Sequence, residues 1–136
     1  MKSKKFSPFL LLAAVLMLAA LACNFSASTA NITNAHMATD ESDTTQTTVY
    51  SPDTATFYCF YDLNNAADDT VVKGVWTLVS AEGYSNSEID SAEITGSDDS
   101  YYFSLDRAAE EWPIGQYKIE LYINNNLVET VEFQVQ

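Results

Sequence analysis

The C-terminal part of this chain alternates apolar and polar residues, and this pattern restricts the fold more than any other feature. The alternation runs from Gln116 to Ile123, pauses at Asn124-Asn125-Asn126 and resumes towards Val135. A period of two places successive side chains on opposite faces of a strand, and the asparagine run is a turn signal. The pattern therefore predicts a β-hairpin with one face in a core, including Phe133, and the other face in water.

Further strands are predicted upstream of the hairpin, where aromatic and β-branched residues concentrate between turn residues. These strands are expected at 49–50, 54–62, 71–80, 87–94 and 101–105. About seven short strands with almost no helix favour an all-β fold, a single antiparallel β-sandwich. We expect this domain to occupy residues 48–136.

The segment Trp112-Pro113-Ile114-Gly115-Gln116-Tyr117-Lys118-Ile119 resembles the tyrosine corner of immunoglobulin-like domains. The resemblance implies that Gly115 allows a sharp turn and that the Tyr117 hydroxyl bonds back across the corner. It also implies an immunoglobulin-like (fibronectin-III-like) core containing Trp76, Ile119 and Phe133. The motif suggests a fold and assigns no function.

The N-terminus has the layout of a bacterial export signal. Lys2, Lys4 and Lys5 precede an apolar run of 14 residues from Phe9 to Ala22, and Cys23 follows directly. This layout resembles that of bacterial lipoproteins, which implies a signal peptide at 1–22, lipidation of Cys23 and a membrane-anchored protein on the extracytoplasmic side.

Two alternatives to lipidation remain open. Ala20-Leu21-Ala22 also fits an ordinary signal-peptidase site, which would yield a secreted, soluble protein. A membrane-spanning helix is disfavoured, because crossing a bilayer takes about 20 apolar residues.

Residues 23–47 are expected to form a disordered tether. Ser and Thr supply ten of the 27 positions from 24 to 50, and such a segment buries too little apolar surface to offset its ordering entropy. His36 would then lie outside the folded domain, which would contain no histidine at all. On that basis a catalytic triad is excluded from the domain.

The charge balance limits the partners. Three of the six basic residues lie in the predicted signal peptide, so the remainder carries three basic residues against 19 acids, a formal charge of −16. Such a chain repels phosphate backbones and anionic headgroups. We therefore expect no nucleic acid among its partners and a membrane contact only through the lipid anchor. We also expect the protein to be a monomer.

The sequence offers no catalytic site, cofactor motif or metal-binding motif. Asp68-Asp69 and Asp98-Asp99 could bring oxygen ligands to a calcium ion, but their spacing matches no EF-hand. Cys59 has no basic neighbour to activate it and is expected to be a buried, unreactive thiol. These observations predict a protein that is not an enzyme.

Tyrosines and a phenylalanine outside the predicted core are the best candidates for recognition, since aromatic rings among polar groups are common in binding surfaces. They are Tyr58, Phe60, Tyr102 and Tyr122. The sequence predicts an envelope-anchored, non-enzymatic module that binds a protein or a glycan or serves as a spacer. The alternative is an immunoglobulin-like inhibitor of exported hydrolases.

Overall fold

A computed structural model describes residues 28–136, and these residues form eight β-strands arranged in two layers. The strands are β1 (Asn31–Ala38), β2 (Val49–Tyr50), β3 (Thr56–Asn64), β4 (Thr70–Ala81), β5 (Tyr84–Gly96), β6 (Asp99–Asp106), β7 (Gly115–Ile123) and β8 (Asn126–Val135). Within this part of the chain there is no helix of the length and apolarity needed to cross a membrane.

The strands form a three-stranded sheet with the order β1-β3-β6 and a five-stranded sheet with the order β2-β8-β7-β4-β5. Neighbouring strands are antiparallel, except that β2 pairs with β8 in parallel. The predicted all-β sandwich is confirmed, with eight strands instead of about seven. Gly83, at a φ of 82°, makes the tight turn between β4 and β5, a conformation that glycine adopts without strain.

The first strand lies in the segment that was expected to be a disordered tether. β1 pairs with β3 from Asn31, opposite Asn64, to Ala38, opposite Tyr58, and Met37 is buried in the core. The backbone hydrogen bonds to β3 and the burial of Met37 offset the entropy lost when this segment becomes ordered. The Ser/Thr-rich composition gave no sign of either contribution. The tether prediction was therefore wrong for 31–47, and the folded domain includes them.

The remaining N-terminal predictions cannot be placed in the fold. The signal peptide at 1–22, the lipidation site Cys23 and the four residues after it lie outside the described residues.

The core lies between the two sheets and is rich in aromatic side chains. Phe57 is fully buried, and its ring lies within 6.0 Å of four others, those of Tyr50, Trp112, Tyr117 and Phe133. Trp76, Ile119 and Phe133, the three residues expected in the core, are 2%, 0% and 3% exposed. The inward faces of both sheets therefore meet in one apolar layer.

Cys59 is a free thiol buried in this layer, on β3. Burial raises the pKa of the thiol to about 12, because the apolar surroundings disfavour the thiolate. Ile119 is buried on β7, in the opposite sheet.

The corner before β7 has the hydrogen bond that the tyrosine motif implies. The Tyr117 hydroxyl donates to the carbonyl oxygen of Pro113 at 2.5 Å. Gly115, however, is required for a different reason from the one expected, since its φ is not in the left-handed region. A Cβ at this position would collide with the carbonyl oxygen of Ser80 on β4, so the glycine permits close approach of two strands.

Candidate binding surface

Four rings lie together on the outer surface of the three-stranded sheet, and we call this surface the aromatic face. His36 on β1 and Tyr102 on β6 both stand opposite Phe60 on β3. His36 stacks on Phe60 at a centroid distance of 5.8 Å, Tyr102 lies 5.2 Å from Phe60, and Tyr58 meets Tyr102 edge-on at 5.9 Å. The rings thus form a row that crosses all three strands.

The row is accessible to solvent. Tyr102 is 36% exposed and Tyr58 and Phe60 are partly buried, whereas the His36 side chain is only 13% exposed. Tyr58 and Phe60 point outward because they alternate with the buried residues Phe57, Cys59 and Tyr61 along β3.

A β-bulge places His36 in the row. Between Thr33 and His36 the register of β1 shifts, so that two residues of β1 oppose one residue of β3. Asn34 in this bulge has a φ of 53°, in the left-handed region that asparagine tolerates better than most residues. Its carbonyl oxygen lies 2.6 Å from Nδ1 of His36. Without the extra residue, Ala35 would face Phe60 and the imidazole would point elsewhere.

The loop that follows β1 brings two carboxylates to the row. Asp43 lies 2.8 and 2.9 Å from Nε2 of His36 through its two oxygens. Glu41 accepts a hydrogen bond of 2.6 Å from the Tyr102 hydroxyl, although β3 separates β1 from β6. This bond raises the pKa of Tyr102, because ionisation would replace a donor with a second negative charge.

Asp40 fixes the conformation of this loop through hydrogen bonds to other residues of the loop. Its carboxylate accepts hydrogen bonds from the Thr44 side chain and from the backbone N–H groups of Ser42 and Thr44. These bonds, with that of the Thr44 hydroxyl the largest, lower the pKa of Asp40, since they favour its ionised form. The loop is therefore held in one shape that directs Glu41 and Asp43 towards the rings.

Both ring nitrogens of His36 are occupied by acceptors, namely the Asn34 carbonyl and the Asp43 carboxylate. A neutral imidazole has one N–H and can donate one of these bonds, whereas the imidazolium donates both. In either state no free nitrogen remains to take a proton from a nucleophile. His36 thus acts as a structural member of the aromatic face, and its place in the folded domain corrects the expectation of a domain without histidine.

The structure separates one of the four aromatic candidates from the others. Tyr58, Phe60 and Tyr102 share the aromatic face, whereas Tyr122 lies on the outer surface of the five-stranded sheet, opposite Lys73. His36 is the member that sequence reasoning missed. Its strand β1 could have been predicted from two apolar residues, Ile32 and Met37. They are five positions apart, so they lie on the same face of a strand only if a β-bulge adds one residue between them.

Asp68, Asp69 and Asp98 lie in loops, whereas Asp99 is the first residue of β6. Asp98 accepts a hydrogen bond of 2.6 Å from the backbone N–H of Ala66 and so fixes the loop between β3 and β4. Within residues 28–136, no group of three or more His, Cys, Asp or Glu side chains is placed to hold a metal ion.

A shallow groove of about 360 Å³ borders the aromatic face at the β1 edge. It runs between β1 and β8, and its lining includes His36, Met37, Thr48 and Val131. His36 is the member of the row that contributes to this groove.

No protein-family model matches the chain, and no curated protein matches it either. Solved structures do show similarity. An immunoglobulin-like protein from Pseudomonas aeruginosa aligns with a TM-score of 0.56 and 15% identity, covering 82% of this chain and 99% of that protein. The alkylpurine DNA glycosylase AlkC of Pseudomonas fluorescens, solved on DNA with an abasic site analogue, aligns with a TM-score of 0.53 and 12% identity.

The glycosylase alignment covers 85% of this chain but only 32% of the glycosylase, so this chain spans about a third of that protein. At these identities the similarity concerns the fold alone, and activity does not follow from fold. The described part of this chain is an immunoglobulin-like β-sandwich, as the tyrosine motif implied.

Proposed function

We propose that this protein is a non-enzymatic, monomeric binding module, anchored on the extracytoplasmic side of the cell envelope through a lipid on Cys23. Its ligand, a protein or a glycan, would bind at the aromatic face. The observation that carries this proposal is the row of His36, Phe60 and Tyr102 across an exposed sheet surface. Rings in this arrangement offer a rigid apolar platform, and the carboxylates and hydroxyls around them supply hydrogen bonds.

The absence of an enzymatic activity is part of the proposal. It is supported by the acceptors on both nitrogens of His36 and by the buried Cys59, whose pKa is raised to about 12. Such a thiol is protonated at neutral pH and is a poor nucleophile. The formal charge of −16 supports a partner other than nucleic acid.

The anchor would hold the domain near the bilayer. Eight residue steps separate Cys23 from Asn31, the first residue of β1. Because an extended chain spans at most about 3.6 Å per residue, the sandwich would begin within roughly 29 Å of the lipidated residue. The lipid is needed for attachment, since a chain this acidic gains nothing from anionic headgroups.

Intact mass spectrometry of the membrane fraction from bacteria that express the full chain tests the anchor. We expect a mature protein that begins at Cys23 and carries acyl mass, and a Cys23→Ser variant that is not acylated. A soluble product without lipid would contradict the anchor and leave the binding surface unaffected.

Binding of the purified full chain to isolated cell envelopes and to a glycan array tests the surface. The Phe60→Thr/Tyr102→Thr double variant should lose retention, because it removes two rings of the row while keeping β-branched residues suited to strands. Tyr122→Thr, an aromatic truncation on the opposite sheet, is the matched control and should bind like the natural chain. Equal retention of all three proteins would contradict the proposal, and the spacer role would then be favoured.

A second candidate is an inhibitor of exported hydrolases, and one loop favours it. Ile114 is 64% exposed in the segment between β6 and β7, which is fixed by Trp112 through a hydrogen bond of its indole N–H to the Thr54 carbonyl at 2.8 Å. A rigid loop with an exposed apolar side chain can enter an active-site cleft with little ordering cost.

The test is inhibition of a panel of proteases near a one-to-one ratio. Ile114→Asp should abolish the inhibition, whereas Val128→Asp, at another exposed apolar position, should retain it. No inhibition across the panel would exclude this candidate.

A further inference from the structure

Positive charge is segregated away from the aromatic face. Strands β1, β3 and β6 contain no Lys or Arg, and the three basic residues of the described chain lie elsewhere. Lys73 and Lys118 are on β4 and β7 of the five-stranded sheet, and Arg107 follows β6. On the outer surface of the three-stranded sheet, therefore, no Lys or Arg of these strands compensates the carboxylates.

Carboxylates surround the row, and each is fixed by a neutral donor or by His36. Asp62 accepts from the Ser100 hydroxyl at 2.6 Å and from the Asn34 amide at 3.3 Å, and Asp106 accepts from the Thr56 hydroxyl at 2.9 Å. Glu41 and Asp43 contact Tyr102 and His36, as described above. The pair of His36 with Asp43 carries a net charge of zero or minus one, so no member of the face makes it positive.

These carboxylates are fixed by hydrogen bonds, have no Lys or Arg partner and lie around partly exposed rings. Such a surface is complementary to a cation. A guanidinium or ammonium group is attracted to an aromatic face as well as to a carboxylate, so both parts of this surface would contribute. A neutral sugar would stack on the rings but leave the charges uncompensated. A second copy of this chain would add a further formal charge of −16, counted without the predicted signal peptide, and so repel the first.

We propose that the aromatic face binds a flexible segment of a basic protein, with Arg or Lys side chains over Phe60 and Tyr102 and against the surrounding carboxylates. This inference rests on the proposed function and names the class of its ligand. Asp62 lies two residues from Phe60 along β3, and Asp106 pairs with Thr56, four residues away in the other direction. At about 3.4 Å per residue the two carboxylates are roughly 20 Å apart along the strand, the length of an extended peptide of about six residues.

Binding of octa-arginine and octa-lysine peptides to the purified full chain, measured by calorimetry at several salt concentrations, tests this inference. We expect both peptides to bind, the arginine peptide more tightly because guanidinium groups stack on rings, and the affinity to fall as salt rises. An octa-glutamate peptide should not bind. Phe60→Thr/Tyr102→Thr should weaken binding about tenfold without any change in charge, and Tyr122→Thr should not.

A matched pair of charge variants separates a local site from general attraction to an acidic protein. Asp62→Asn removes a carboxylate of the face, and Glu93→Gln removes one from β5 in the other sheet. Only Asp62→Asn should weaken peptide binding by several-fold. Equal effects of the two variants, or an absence of binding by the natural chain, would overturn the inference.

The outcomes also distinguish this inference from the proposed function. Retention on envelopes or glycans that depends on Phe60 and Tyr102, with no affinity for basic peptides, would refute a basic ligand while leaving the aromatic face as the binding surface. Failure of both experiments would remove the surface itself. Circular dichroism of each variant checks that a loss of binding does not come from a loss of fold.

Discussion

The two faces of β3 carry the same class of side chain in opposite environments. On the inner face, Phe57 is fully buried and surrounded by four other rings. On the outer face, Phe60 is half-buried and contacts His36 and Tyr102. Since apolar surface stabilises a fold only to the extent that folding removes it from water, the inner rings should account for stability and the outer rings for recognition.

The largest expected effect is that of Phe57→Ala. Truncation of a fully buried phenylalanine loses its transfer free energy and leaves a cavity, so the free energy of unfolding should fall by about 3–5 kcal/mol. Urea denaturation followed by fluorescence of the buried Trp76 and Trp112 would measure it. A loss below 1 kcal/mol would mean that the inner face does not govern stability.

High pH should unfold the protein through its inner tyrosines. Burial raises the pKa of Tyr117 from 10.0 to about 12, and it also raises those of Tyr50 and Tyr61. A raised folded-state pKa gives stability that is complete below about pH 10 and is lost as the pH rises towards 12, because the unfolded chain releases its protons first. Absorbance of tyrosinate against pH, together with circular dichroism, should show the inner tyrosines ionising as the protein unfolds. Their ionisation in a folded protein near pH 10 would contradict their burial.

An intermediate effect is expected at the tyrosine corner. Tyr117→Phe keeps the buried ring and removes the hydrogen bond to Pro113, which should lower the free energy of unfolding by about 1–2 kcal/mol. Tyr122→Phe, whose hydroxyl makes only a 3.5 Å contact with Glu120, is the control and should change stability little. Urea denaturation of both variants measures the difference.

The smallest effect on stability should follow Phe60→Thr. The side chain is half-buried and lies on a strand surface where a β-branched residue fits well, so the loss should stay within about 1 kcal/mol. A loss as large as that of Phe57→Ala would show that the outer ring is part of the structural core, and the distinction between the two faces of β3 would fail.

Much of the sandwich could be predicted because the local pattern and the tertiary environment agree. Along β7, Tyr117, Ile119 and Leu121 alternate with polar residues, and the structure buries all three. β1 could not be predicted in this way. Its composition is polar, and its alternation is interrupted at Asn34 by a bulge that only pairing with β3 makes favourable.

The candidate site was predictable in its parts but not as a unit. Tyr58 and Phe60 could be assigned to one outward face from their spacing, since residues two apart on a strand share a face. That Tyr102 and His36 would join them depends on strand order and register, which are set by contacts between residues far apart in the chain. The role of Glu41 likewise depends on a loop that reaches a side chain 61 positions away.

The sequence by itself determined the strands of the C-terminal hairpin and the excess of negative charge, because these depend on local periodicity and composition. The core positions Trp76, Ile119 and Phe133 followed from the resemblance of the tyrosine motif to immunoglobulin-like domains. Only the tertiary structure decided that 31–47 belong to the domain and that His36, Phe60 and Tyr102 form one row. The physical reason is that β-sheet pairing joins segments that are distant in the chain, and its hydrogen bonds and register outweigh the weak local preference of a polar segment for disorder.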